Sequence, residues 1–292
     1  MHTHHHHEQS TTRIGWAFFL NVSFTIIEFV GGILTNSTAI MADAVHDLGD
    51  SLSIGFAWLL SKLSNKQSDH DFTYGYQRFT LLGALINSLV LIIGSVWVLS
   101  EAIPKLINPE MPVVEGMLGL AILGVVVNGF AAYKLSQGKS LNEKVLNWHL
   151  MEDVLGWVAV LIVSIVLMFV DWPILDPLLS IVFTLFILFN VVKNLKATIR
   201  LFLQASPEKS LSGEVKKTLL EIETVKEIHH LHLWSLDGEH NVLTVHLVLD
   251  QNIDAVHQIK LKEEIAERLN RYNLSHTTVE FEFLGELCRD KN

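Results

Sequence analysis

Hydrophobic residues fill six long stretches in the first two thirds of this chain. Each stretch has about 20 residues, the length of helix that crosses a bilayer. Polar runs separate the stretches, for example at 35–37, 62–77 and 137–140. The predicted spans are 14–34, 40–61, 79–100, 113–133, 146–170 and 174–192. We therefore predict an α-helical membrane protein whose six-helix transmembrane domain covers residues 13–206.

The pattern changes after Pro207 to that of a small soluble fold. Helical periodicity alternates there with short stretches in which every second residue is hydrophobic, the pattern of half-buried strands. The predicted elements are a helix at 209–222, strands at 227–235 and 241–249, a helix at 254–272 and a strand at 277–284. The order α-β-β-α-β is typical of ferredoxin-like domains. We predict an α+β domain of this kind over residues 207–292.

Composition agrees with this division. Half of the 292 residues are hydrophobic and 18% are charged, which is too apolar for an ordinary soluble protein. Residues 207–292 carry ten Lys and Arg against sixteen Asp and Glu, and the first 206 residues carry eleven against fifteen. A net charge of -10 argues against nucleic acid as a partner and suits a protein that handles cations.

Basic residues near the span ends predict the orientation in the membrane. On the side shared by both termini lie Arg13, Lys62, Lys66, Arg78, Lys134, Lys139, Lys144, Lys193, Lys196 and Arg200. The opposite side has only Lys105, so the positive-inside rule places both termini in the cytoplasm. The His-rich tail at 1–12 lacks the features of a signal peptide, and is either an expression tag or a weak zinc collector. Compact loops favour the inner membrane of a bacterium.

Two copies of the pattern His-x-x-x-Asp lie within predicted spans, at His46 and Asp50 and at His149 and Asp153. A spacing of four puts both side chains on one helix face. Ionisable residues at bilayer depth are costly, and they usually face a cavity and have a function. Four ligands of this kind suit tetrahedral Zn²⁺, with Cd²⁺, Co²⁺ and Fe²⁺ as alternatives. We predict that they form one transport site.

The number of ligands favours transport over catalysis. Four protein ligands close the coordination shell, whereas a catalytic zinc keeps a position open for water. No metalloprotease helix motif and no phosphate loop is present, so we expect no enzyme and an ion gradient as the energy source. Zn²⁺ and H⁺ compete for neutral imidazole, which offers a coupling device. Two alternatives stay open: a non-transporting membrane metal sensor, and a membrane-embedded hydrolase with Asp47 or Glu152 as base.

Further polar residues lie inside the predicted spans. Asp43 and Asp47 are candidates for the entry path, and Asp176 is a candidate for the exit path. Glu28 is a fourth buried acid without an assigned role. We expect the remaining ones to form hydrogen bonds between spans: Asn21, Asn87 and Asn128.

The tail domain is rich in possible metal ligands. Strand alternation puts His230 and His232 on one face and His229 on the other. An adjacent strand can bring His229 or His232 beside His246, with an acidic residue of the third strand as a further ligand. The single Cys288 excludes a disulfide and a thiolate cluster, so we expect His, Asp and Glu ligands only. We assign two more histidines to loops: His240 and His276.

Taken together, these motifs resemble the cation diffusion facilitator family. The resemblance rests on the six spans, the paired His-x-x-x-Asp motifs, the segment 31–50 and the loop segment 72–78. It implies a homodimeric, proton-coupled zinc exporter that works by alternating access and whose tail domains meet and bind further zinc. It matches His229, His246 and Glu282 to tail ligands, with His257 next. His at position 46 is the pattern of the zinc-preferring branch.

Two departures from the family pattern limit the resemblance. The loop between spans two and three has Asp69, His70 and Asp71, but Tyr74 stands where a second His is expected. That loop metal site is therefore in doubt. Gln204 stands where many members carry an acid that pairs with the basic residue before span three, so we expect no charge link for Arg78 between spans three and six.

Overall fold

The computed structural model describes residues 4–64, 66, 68–136, 141–283 and 285–290. Within helices, the side chains at 4–17, 20, 57, 58, 60–62, 64, 134, 135, 141–149 and 209 are outside this description. The chain forms two compact units. One contains the residues up to 61 together with 83–195, and the other contains 62–82 together with 196–292.

Six long helices occupy the predicted spans in the described part of the chain. They are α1 (His4–Thr35), α2 (Thr38–Ser64), α3 (Phe79–Ile107), α4 (Val114–Ser136), α5 (Leu141–Phe169) and α6 (Leu175–Phe202). Four of them, α3 to α6, have described stretches long and apolar enough to cross a membrane. In α1 the apolar stretch is the shorter Asn21–Thr35. Three carboxylates lower the hydropathy of α2: Asp43, Asp47 and Asp50.

Helix α6 continues ten residues past its predicted end at 192. The extension carries basic residues, which are good helix formers and can reach an interface through their long stems. The helix stops at Gln204, whose φ of 59° is left-handed. The next amide, that of Ala205, donates to the carbonyl of Arg200 over 2.9 Å, as in a helix C-cap. Hydropathy alone places the end of α6 too early, because the extension is more polar than the rest of the helix.

Helix α2 lies between two apolar clusters. Its first residues pack with α4 and α5 in a cluster of Ala39, Ile40, Met117, Ala121, Trp157, Val160 and Leu167. Its next turn packs with α3 and α6 in a cluster of Ala42, Val45, Leu91, Val98 and Val191. Small residues permit close approach of helices: a Cβ at Gly124 of α4 would overlap the indole of Trp157 in α5. Thus α2 is the element most enclosed by its neighbours.

Asp176, at the start of α6, caps the beginning of α2. Its carboxylate accepts hydrogen bonds from the hydroxyls of Ser37 (2.5 Å) and Thr38 (2.9 Å) and from the amides of Thr38 (2.7 Å) and Ala39 (3.3 Å). These amides are among the donors that a helix start leaves without a partner. Both oxygens of Asp176 are therefore engaged in capping α2, and its role in the exit path stays a prediction.

The outer surfaces of the helices carry large exposed apolar side chains. Ile93 of α3 is 70% exposed and Phe189 of α6 is 71% exposed. In water such surfaces would drive aggregation, whereas lipid tails would cover them. The exposure therefore agrees with a membrane domain.

The tail domain has the predicted order of elements. It contains α7 (Lys209–Leu220), β1 (Val225–Ser235), β2 (Asn241–Leu249), α8 (Ala255–Leu269), a 3-10 turn (Asn270–Tyr272) and β3 (Leu274–Glu282). Strand β2 is central, antiparallel to β1 and parallel to β3. The core between sheet and helices includes Leu219, Leu243, Leu247, Leu261 and Ile265. Strand β3 begins earlier than predicted, so His276 lies on a strand and the loop assignment for it is wrong.

We expect Asp176→Ala to destabilise the membrane domain. The change leaves two amides and two hydroxyls of the α2 start without an acceptor, at a cost of about 1–3 kcal/mol. The melting temperature of the purified protein in detergent should fall by several degrees, and Asp171→Ala at an exposed position nearby should leave it unchanged. Equal melting temperatures for the two variants would contradict the capping role.

Candidate metal sites

A cavity of about 470 Å³ lies between α2, α3, α5 and α6. Residues 183–194 of α6 form one wall along its length. Residues named in the sequence analysis line this cavity, among them Asp43, His46, Asp50, Asn87, Glu152 and Asp153. The helices thus enclose three of the four predicted transport ligands in one cavity.

His46, Asp50 and Asp153 converge within this cavity. The Nε2 atom of His46 lies 3.8 Å from Oδ2 of Asp50 and 3.7 Å from Oδ1 of Asp153. All three donor atoms lie within 4.8 Å of one another. Tetrahedral zinc with bonds of 2.0–2.2 Å needs donors roughly 3.4 Å apart. The distances from His46 to each carboxylate therefore exceed this spacing by only a few tenths of an ångström.

The fourth predicted ligand, His149, lies in α5 one turn before Asp153. Its side chain is outside the described residues. Helical spacing puts positions 149 and 153 on one face. The structure therefore brings together three of the four predicted ligands, and the fourth stays a prediction.

Gly156 of α5 lines the cavity beside Asp43 of α2. A Cβ at Gly156 would lie 3.5 Å from Oδ1 of Asp43 and 3.7 Å from the ring of Phe183. A larger side chain at this position would enter the cavity. Gly156 thus leaves room beside the carboxylates.

Glu28, Asp43 and Asp47 form a second acidic cluster, which is fully inside the helix bundle. Their carboxylate oxygens lie within 4.8 Å of one another, and Glu28 is 0% exposed. No described residue donates a hydrogen bond to either oxygen of Glu28. Three carboxylates so placed are stable only when protons or a cation neutralise most of their charge. Sequence reasoning noted Glu28 but did not join it to Asp43 and Asp47, because it lies on another helix.

Two of the three intramembrane asparagines link helices as expected. The Nδ2 atom of Asn21 donates to Oγ of Ser51 over 3.0 Å, and that of Asn87 donates to Oγ of Ser53 over 2.8 Å. For Asn128, by contrast, the described residues supply no acceptor for Nδ2. The α1–α2 and α2–α3 contacts therefore include polar links.

In the tail domain, Glu282 joins two histidines from neighbouring strands. One oxygen, Oε2, lies 3.1 Å from Nε2 of His229, and the other, Oε1, lies 2.7 Å from Nδ1 of His246. The strand register pairs His229 with His246. The three residues matched by the family resemblance therefore lie together across the sheet, on β1, β2 and β3.

His230 also lies beside this cluster, which strand alternation did not predict. The pairing of β1 and β2 shifts between His229 and His232, and His230 has a left-handed φ of 50°. A bulge of this kind re-aims a side chain. The His230 ring consequently lies 5.6 Å from that of His229 and 5.0 Å from that of His246. The prediction that His229 and His230 occupy opposite faces is wrong for this reason.

His232 and His257 do not join the cluster. His232 is exposed and pairs with Thr244 across the sheet. His257 is exposed in the first turn of α8, where both its amide and its Nδ1 contact the Asp254 carboxylate, at 2.8 and 2.7 Å. The hydrogen bond from the His257 amide caps the start of α8. The structure thus places these two expected tail ligands elsewhere.

Cys288 lies in the tail cluster, although the sequence analysis restricted the ligands to His, Asp and Glu. Its Sγ is 3.6 Å from Nδ1 of His246. It also lies within 4.8 Å of donor atoms of His229, His230 and Glu282. Partial burial and a hydrogen bond to Glu282 raise the pKa of the thiol, so without metal it is protonated at neutral pH. The structure therefore adds a sulfur atom to the candidate donors of the tail cluster.

The carboxylate of Asp69 forms hydrogen bonds with residues of its own loop. Its carboxylate accepts hydrogen bonds from the Tyr76 hydroxyl (2.6 Å), the Lys66 ammonium (3.0 Å) and the amides of Asp71 (3.1 Å) and Phe72 (2.9 Å). The Tyr76 hydrogen bond, followed by the Phe72 amide and Lys66, lowers the pKa of this carboxyl. These contacts give Asp69 a structural role in the loop.

Arg78 finds a partner other than an acid. Its Nη2 donates to the carbonyl oxygen of Phe202 over 2.9 Å, and its guanidinium lies 5.7 Å from the Phe202 ring centroid. Carbonyls at a helix C-terminus lack intrahelical donors and carry partial negative charge. The end of α6 therefore supplies the electrostatic partner that Gln204 does not.

Comparison with known proteins places both parts of the chain in one family. The cation efflux transmembrane domain matches residues 16–203, and the cation efflux protein cytoplasmic domain matches residues 207–283. The cadmium, cobalt and zinc/H(+)-K(+) antiporter of Bacillus subtilis (strain 168) is 32% identical over 284 residues, covering 96% of this chain and 91% of the relative. The zinc transporter ZitB of Pectobacterium atrosepticum is 31% identical over 294 residues, covering 99% and 90%.

A solved structure matches the tail. The metal-bound C-terminal domain of the CzcD transporter from Cupriavidus metallidurans is 32% identical, with coverage of 24% of this chain and 94% of that domain and a TM-score of 0.22. The members of the family found here are metal-ion transporters, which confirms the expectation that the chain is not an enzyme. The chain belongs to the cation efflux family, the cation diffusion facilitators whose motifs it carries, and is a membrane transporter of metal cations.

Proposed function

We propose that this protein exports Zn²⁺ from the cytoplasm in exchange for H⁺. The observation that carries the proposal is the convergence of His46, Asp50 and Asp153 on one point of the membrane cavity. With His149 as the fourth ligand, the shell would have two nitrogen and two oxygen donors, which suits zinc. Such a closed shell binds an ion as cargo and leaves no position for a reacting water.

Proton exchange follows from the chemistry of the ligands. A metal binds only neutral imidazole and ionised carboxylate, so binding displaces protons and proton binding expels the metal. The name of the Bacillus subtilis relative includes H⁺ and K⁺ as exchanged ions. We propose H⁺ as the coupled ion, and the transport experiment below also measures whether the flux depends on K⁺.

The shape of the cavity supports access from the cytoplasm. It follows α6 over residues 183–194, about 16 Å of helix, toward the end that carries Lys193. Basic residues mark the cytoplasmic side. We infer an arrangement in which the metal enters from that side, and alternating access would then require α2 and α5 to move so that the same ligands face outward.

The acidic cluster of Glu28, Asp43 and Asp47 lies next to the site and would form part of the path. Asp43 lines the same cavity as His46. Asp47, directly after His46 in the chain, faces Glu28 and Asp43. Negative groups along the route would attract a divalent cation as it moves between water and its ligands.

The tail would bind further metal through His229, His246 and Glu282 and would join two copies of the chain. The tail match is to the cytoplasmic domain of cation efflux proteins. An ion bound only by the folded tail stabilises it in proportion to the logarithm of its concentration. Tail metal would thus stabilise the homodimer.

We expect Asp50→Ala and Asp153→Ala to abolish transport. Purified protein in proteoliposomes should take up Zn²⁺, followed with a fluorescent zinc indicator, when a pH gradient is imposed. Loss of one ligand should lower the rate at least about 10- to 100-fold, since loss of an outer partner of a ligand already costs that much. Asp171→Ala, an exposed acid of the same kind, should transport at the wild-type rate.

Parallel measurements test the finer parts of the proposal. Zinc flux that persists after the pH gradient is collapsed, but stops when K⁺ is removed, would show that K⁺ and not H⁺ is the coupled ion. Faster flux of Cd²⁺ or Co²⁺ than of Zn²⁺ would show that the faster ion, and not Zn²⁺, is the preferred substrate. Metal binding without flux of any ion would support a sensor instead.

We expect Glu28→Gln to slow transport without lowering stability. The change keeps the side-chain volume and removes one of three buried carboxyls that lie within 4.8 Å of one another, so the melting temperature should stay level or rise. The zinc flux should fall at least severalfold if this carboxyl lines the path. Wild-type flux in Glu28→Gln, with Asp50→Ala inactive beside it, would remove Glu28 from the pathway.

A further inference from the structure

The tail cluster holds more donors than the three residues that the family pattern supplies. We propose that Sγ of Cys288 is a ligand of the tail metal ion and completes, with His229, His246 and Glu282, a closed shell of one sulfur, two nitrogens and one oxygen. This inference rests on the proposal that the tail binds metal. It adds a ligand that changes which ions the tail prefers.

Cys288 belongs to two groups of donor atoms, one with His246 and Glu282 and one with His229 and His230, and within each group the atoms lie within 4.8 Å of one another. The two oxygens of Glu282 face different histidines, at 3.1 Å from His229 and 2.7 Å from His246. Sγ of Cys288 lies 3.6 Å from the same Nδ1 of His246 that faces Glu282. Because zinc–sulfur bonds are longer than zinc–nitrogen bonds, at about 2.3 Å against 2.0–2.1 Å, donors near 3.6 Å apart suit a shared tetrahedral ion.

The backbone after β3 returns Cys288 to this position. Strand β3 ends at Glu282, and the chain then turns, with the Phe283 amide donating to the Glu286 carboxylate and the Glu286 amide donating to the Phe283 carbonyl, both over 3.0 Å. Gly285 has a φ of 83°, which favours glycine. Arg289 then pairs with Glu280 on β3. The C-terminal segment is thereby laid against the strand that carries Glu282.

A sulfur ligand has a definite consequence for metal choice. Thiolate is a soft donor, so it favours Cd²⁺ and Zn²⁺ over harder ions such as Mn²⁺. The bound ion would also connect β1, β2 and β3 to the segment around Cys288. Loss of the thiol should therefore weaken Cd²⁺ binding at least about tenfold, more than it weakens Mn²⁺ binding.

The test uses Co²⁺ as a spectroscopic substitute for zinc in the full-length protein in detergent. The chain has a single cysteine, so a sulfur-to-cobalt charge-transfer band in the near ultraviolet reports on Cys288 alone. We expect this band in the wild type and in His232→Ala, whose imidazole is exposed outside the cluster. We expect its loss in Cys288→Ser, which keeps the size of the side chain, and in His246→Ala.

The outcomes separate this inference from the proposed tail site. Visible cobalt bands that depend on His246, without the charge-transfer band, would overturn the sulfur ligand and leave the tail site standing. Cobalt spectra identical in wild type and His246→Ala would overturn both. Alkylation of Cys288 by a maleimide gives a second measurement that needs no variant: bound Zn²⁺ should slow it at least tenfold, and an unchanged rate would contradict the inference.

Discussion

The carboxylates of α2 are the constraint on which the membrane domain depends. An ionised Asp at the centre of a membrane helix costs about 2.5–3.5 kcal/mol on insertion scales, and α2 carries Asp43, Asp47 and Asp50. The helix is stable in a bilayer only when other helices keep these groups away from lipid. The two apolar clusters that enclose α2, and the cap from Asp176, meet this requirement. The packing of the other helices around α2 is therefore what these carboxylates require.

The same constraint explains why three of the four predicted membrane ligands lie together in the structure. A four-residue spacing on a helix is a local property, so His46 and Asp50 must share a face wherever the helix lies. Ionisable side chains are costly in lipid, so a second ionisable pair must also face the interior of the bundle. Asp153 of α5 faces the same cavity. The helices and the order of the tail elements could also be predicted, because the spacing of hydrophobic residues is a local property of the sequence. The end of α6 and the start of β3 were less predictable because polar residues extend both elements beyond their hydrophobic patterns.

Long-range contacts could not be predicted in this way. Asp176 is 138 residues from Thr38, and its role as a cap depends on how α6 meets α2. Glu28 joins Asp43 and Asp47 only because α1 and α2 are neighbours in space. In the tail, the strand period of two fails at the bulge of His230. A bulge depends on pairing with another strand, and no residue in this part of β1 is a glycine that could have indicated it.

Ligand chemistry gives the two metal sites different properties. The membrane site has donors of nitrogen and oxygen, and a transport site must release its ion on each cycle. In the proposed tail site, a thiolate adds a bond that soft ions hold more strongly, and the ligands come from three strands and the C-terminal segment. Release there requires the segment around Cys288 to move away from β3. The tail would consequently fill at a lower ion concentration than the membrane site and stay filled while the transport site turns over.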